Sequence, residues 1–67
     1  MTETLVSTTN TREAEDEIRS YAREKFGDGG DLVFEHGQWW LVFGSALTFS
    51  VVDCEKDGEH YIDFEQV

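Results

Sequence analysis

Cys54 and His60 are the side chains in this sequence that could pair as nucleophile and base, because a nearby imidazole populates a thiolate at neutral pH. Their spacing decides against it. Asp57-Gly58 is a turn dipeptide, and if it pairs Lys56 with Glu59, then Cys54 stands opposite Tyr61 while His60 points to the other face of the same hairpin. Cys54 is then a half-buried filler and His60 a polar residue beside a turn. The other histidine, His36, falls at a hairpin tip, too exposed to be tuned.

Asp53, Glu55, Asp57 and Gly58 follow the opening of a calcium-binding loop, which needs oxygen ligands at alternate positions and a glycine at the sixth. The pattern then fails. Its twelfth position is Phe64 in place of a bidentate Glu, and strands flank it instead of helices. These residues read as a solvated acidic turn. One cysteine permits neither an intramolecular disulfide nor a Cys-rich zinc site. Asp28-Gly29-Gly30 has no following Lys or helix N-terminus with which to hold a phosphate, so it is a connector. No catalytic, cofactor-binding or metal-binding residue is assigned, and the expectation is a protein that is not an enzyme.

The elements that position these residues can be read in order. Residues 1–9 are polar and Thr-rich and are expected to be a flexible segment, in which only Leu5 and Val6 could add an edge strand or fold across an apolar face. Asn10-Thr11-Arg12-Glu13 reads as a capping box with Asn10 as its cap. The helix that follows, residues 11–26, carries Ala14, Ile18, Tyr21, Ala22 and Phe26 on one face. Acids gather in its early turns and bases in its late ones, matching the helix dipole, and Gly27 stands where a left-handed residue ends a helix.

From Asp31 to Phe64 the chain lacks proline and is rich in Val, Phe, Trp and Tyr between turn residues, the pattern of an antiparallel meander. Strands are expected over about 31–36, 38–43, 47–53 and 59–65. A two-residue turn at His36-Gly37 pairs Phe34 with Trp39 and Val33 with Trp40. A three-residue loop at Gly44-Ser45-Ala46 sets Phe43 against Leu47 and Leu41 against Phe49, and the Asp57-Gly58 turn sets Val51 against Phe64 and Asp53 against Ile62. All three registers gather one apolar face, the only surface large enough to bury the helix stripe. The fold class is α+β: one amphipathic helix on one face of a four-stranded antiparallel sheet, in a single domain over residues 10–67.

The opposite face should be polar, yet it carries Trp40 with Val33 directly across and Val42 and Val52 close by. Tyr61 lies on the same face, with Glu35, Asp63 and Glu65 as a carboxylate rim. Contiguous exposed apolar patches with a central Trp mark contact surfaces. Those eight residues are the candidate partner-binding set, for a protein partner or a second copy of the chain, unless the segment bearing Leu5 and Val6 covers the patch.

Composition narrows the partner. Sixty-seven residues carry fifteen acidic and five basic side chains, for a formal net charge of −10. Repulsion from phosphates makes direct binding of nucleic acid or an anionic membrane unfavourable. The best-supported function is a small non-catalytic interaction module using the Trp40 face. The alternative is an acidic inhibitor that imitates the charge of nucleic acid before a basic protein; plain solubility or a high-salt host would equally account for the acidity. Met1-Thr2-Glu3-Thr4 carries no basic leader and Leu5-Val6 is too short to cross a membrane, so a cytoplasmic location is expected.

Overall fold

The computed structural model describes residues 5–67. Helix α1 spans Arg12–Phe26, and four strands follow: β1 (Asp31–Glu35), β2 (Gln38–Phe43), β3 (Leu47–Lys56) and β4 (Glu59–Gln66). They form one antiparallel sheet in the order β1-β2-β3-β4, with α1 packed on one face, as the sequence leads one to expect.

The three turns set the registers derived from sequence. His36 and Asp57 each adopt positive φ ahead of a positive-φ glycine, the conformation of a primed two-residue turn, and they join Glu35 to Gln38 and Lys56 to Glu59. The loop at Gly44-Ser45-Ala46 joins Phe43 to Leu47. Every inner-face residue is thereby fixed, because side chains alternate along a strand. β3 runs to Lys56, further than expected, since the ladder to β4 continues up to the turn itself.

The core consists of Ile18 and Ala22 from α1 against Trp39, Leu41, Val51, Ile62 and Phe64 from the sheet. Phe26 closes the end of the helix with its ring against Phe43, Phe49 and Phe64 at centroid distances of 5.5, 5.0 and 5.6 Å. Ile18, Leu41 and Val51 are the most completely buried side chains, and Trp39 and Phe64 are the buried rings; each contributes about 25 cal/mol per Å2 removed from water. Gly30 packs against the core: a Cβ on it would stand 2.8 Å from Leu41 Cδ1 and 2.9 Å from Phe43 Cζ. The Gly-rich connector is therefore a close-packing element as well as a loop.

Two local expectations are corrected. The helix cap is Thr11, one residue after Asn10: its side-chain oxygen accepts from the Ala14 amide at 3.2 Å. Both residue types cap well, and Thr11 is the one that stands in extended backbone directly before the first helical residue, Arg12. That segment is the second correction. Val6–Thr8 forms a 3-10 turn with Ser7 buried, where a flexible stretch is expected from composition. The Thr8 and Thr9 hydroxyls donate back to the Leu5 carbonyl, which stabilises the turn locally. The remainder of the expected flexible stretch, residues 1–4, lies outside the described residues.

Candidate interaction surface

The outer face is built by the alternation of the four strands. Val33 on β1 pairs with Trp40 on β2, which in turn pairs with Ser50 on β3, itself paired with Glu65 on β4. Val42 lies two residues along β2 from Trp40, and Val52 two residues along β3 from Ser50. Trp40 is half-buried and Val33 is 38% exposed, whereas Trp39, on the other face, is 6% exposed. The Trp40 indole N–H donates to the Glu35 carbonyl at 2.9 Å, which lays the ring along β1. Gln38 reaches across to the Ser50 hydroxyl at 2.8 Å.

Tyr61, Asp63 and Glu65 share this face along β4 at the far side of the sheet. Cys54 faces Tyr61 across the ladder and raises the phenol's pKa. Asp63 is already engaged: Lys25 reaches around the β4 edge to its carboxylate, and the same oxygen accepts the Phe64 amide at 2.8 Å. The Lys25 ammonium, followed by that amide, holds the Asp63 carboxyl below the usual range. Trp40 thus pairs directly with Val33, while Val42 and Val52 lie on the same face to either side of the Trp40–Ser50 row, with Glu35 at the β1 end and Tyr61 more distant from Trp40.

The inner face carries Asp53, with only 7% of its side chain exposed, and beyond it toward the turn the exposed Glu55. Burial alone would raise its pKa, but the Ser7 hydroxyl, His60 and the Ser7 and Val6 amides outweigh burial and bring it below the usual range. One carboxylate oxygen accepts the Val6 amide at 3.0 Å and His60 Nε2–H at 2.7 Å. The other accepts the Ser7 amide at 3.0 Å and the Ser7 hydroxyl. The first amides of a helical turn have no partner within it, and Asp53 supplies one from the sheet. Glu17 of α1 stands 3.7 Å from the other nitrogen of the His60 ring.

This cluster contains serine, histidine and aspartate in an order that does not make a nucleophile. The Ser7 hydroxyl donates to Asp53, whereas acyl transfer needs the hydroxyl to donate to the imidazole. Cys54 lies on the opposite face from His60, as the register requires. The Asp53 oxygens are spent on the N-terminal turn and His60, so this acid is an anchor for that turn. Ser7 was not among the residues singled out in the sequence. The available signal was an acid at an inward-facing register position, which cannot stay buried without donors.

The anchor also answers what Leu5 and Val6 do. Val6 packs against the core on the helix side of the sheet, so the described N-terminal residues do not cover Trp40. A cavity of about 60 Å3 lies between α1 and the connector, lined by Arg19, Arg23, Gly30, Leu32, Leu41 and Phe43. It has room for a few waters, and Arg23 beside it pairs with Asp28 at 2.8 Å. No helix among the described residues is long and apolar enough to cross a membrane. Comparisons with protein-family models, curated proteins and solved structures found no match.

Proposed function

We propose that this chain is a non-catalytic protein-interaction module that binds a protein partner through the outer face of its sheet, with Trp40 at the centre. The observation that carries this reading is the placement of the N-terminal turn. It is pinned by Asp53 to the helix side, which leaves Trp40 and Val33 on a face that no described segment covers. Tryptophan packed among aliphatic side chains on such a face is the composition of an interface centre.

The acids at the margin of this face, Asp31, Glu35 and Glu65 among them, favour a partner with basic groups around an apolar contact. Imitation of nucleic acid has less support, since Asp63 is neutralised by Lys25 and the apolar centre has no counterpart in a phosphate backbone. The single thiol, half-buried opposite Tyr61, is compatible with a reducing compartment such as the cytoplasm.

The test is affinity capture from the native host followed by titration of the captured protein. Trp40→Ala should weaken binding by about 2 kcal/mol or more, with little dependence on salt. An affinity that ignores Trp40→Ala, falls steeply with salt and with Glu35→Lys, and is competed by DNA would replace the module with the mimic.

A further inference from the structure

The two edges of the sheet are not equivalent. In the turn between β1 and β2 the Gln38 amide bonds to the Glu35 carbonyl, so Glu35/Gln38, Val33/Trp40 and Asp31/Val42 are the hydrogen-bonded pairs. Leu32 and Phe34 therefore direct their N–H and C=O groups away from β2, to the open side. The same alternation on β4 turns His60, Ile62, Phe64 and Gln66 outward, and the bond from the Val67 amide to the Thr48 carbonyl agrees with it. On that edge the Asp63 carboxylate takes the outward Phe64 amide while Lys25 holds the carboxylate in place. Charged side chains set on an edge in this way hinder strand pairing. Among the described residues that cap meets the Phe64 amide alone, and no side-chain acceptor meets the Leu32 or Phe34 amides.

We propose that the β1 edge is a docking strand: it accepts an extended segment of a partner as a fifth strand, with Lys or Arg opposite Asp31 and Glu35 and an apolar residue opposite Val33. This rests on the reading of the Trp40 face as the binding surface and specifies how it is used. Asp31, Val33 and Glu35 are the outer-face residues of β1, so an added strand would meet them at every second position. Trp40, lying along β1 by its bond to Glu35, flanks the same position as Val33. A second copy is a poor occupant, because two β1 strands paired antiparallel about Val33 would set Asp31 against Glu35 twice. Basic residues at those positions turn the same two contacts attractive.

The probe is an acetylated peptide with Lys-Thr-Val-Thr-Lys at its centre, added to isotope-labelled protein while amide exchange is followed by NMR. Exchange at Leu32 and Phe34 should slow by about tenfold or more on binding, and this protection should vanish with Glu35→Lys or with a peptide N-methylated at its threonines, whose amides face β1. A peptide that needs Trp40 but tolerates N-methylation would overturn the edge geometry and leave the Trp40 face standing as the surface. Binding indifferent to Trp40→Ala would remove the face reading itself. Protection that appears at Ile62 on β4, or no binding at all, would overturn the docking strand.

Discussion

Ser7 and Asp53, separated by forty-six positions, meet through two hydrogen bonds to one carboxylate oxygen, from the Ser7 amide and from its hydroxyl. Because the Asp53 pKa is lower in the folded state than its unfolded value of about 3.9, the carboxylate contributes stability that is present above that value. It is lost as pH falls through the folded pKa. Asp63 acts in the same sense, but its greater exposure lets solvent screen the effect. Asp53→Asn should cost about 1–3 kcal/mol at neutral pH, and the variant should lose less stability than the wild type on acidification. Urea midpoints near neutral pH and in the acid range decide it; parallel curves would mean that Asp53 does not anchor the turn.

The two tryptophans should separate cleanly. Trp39 is buried and its indole N–H donates to the Thr9 carbonyl at 2.7 Å, so Trp39→Ala removes core volume and orphans a carbonyl of the N-terminal segment. The expected loss is about 3–5 kcal/mol, most of the stability available to a domain this small. Trp40→Ala should cost far less, since its face is open. Equal losses by chemical denaturation would contradict the register.

Gly30 gives a prediction that its backbone does not suggest. Its φ lies outside the left-handed region, so alanine there does not meet that strain, yet the added Cβ meets Leu41 and Phe43 below 3.0 Å. Gly30→Ala should destabilise by about 1–3 kcal/mol through overpacking. Phe43→Leu should recover part of that loss when combined with it, and thermal melts of the single and double variants measure the coupling. An additive pair would mean that the loop moves aside without strain.

Much of this was legible because three turns speak independently. His36-Gly37 and Asp57-Gly58 are residues that tolerate positive φ, and the lengths of all three loops fix which side chains share a face. The Trp40 face followed from that register alone. The N-terminal turn was hidden because residues 1–9 show no apolar period, and the partner that orders Val6 and Ser7 comes from β3. Asn10 and Thr11 are adjacent capping types, which local sequence could not separate. The Asp63–Lys25 edge cap needs the helix and β4 side by side before it exists.

Ionic strength should raise stability. Fifteen acids face five bases, and Arg19, Arg23 and Lys25 already pair with Glu15, Asp28 and Asp63. Repulsion among the remaining carboxylates is screened within a Debye length of about 10 Å at 0.1 M salt. The melting temperature should climb as NaCl increases to about 1 M; a flat curve would show the acids to be spaced too widely to interact.

The anchoring of the N-terminal turn by Asp53 also sets an order of assembly. The sheet closes through loops of two or three residues between neighbouring strands, whereas the turn can dock only after β3 and β4 have brought Asp53 and His60 together. Closing so long a loop contributes little until its target exists, so this segment should join last and detach first. Substitutions at Ser7 should then speed unfolding and leave the refolding rate nearly unchanged, which stopped-flow chevrons resolve. The chain would thus possess a partly opened form, with Trp39 uncovered at Thr9 and the four strands still paired, that bridges the native state and the unfolded ensemble.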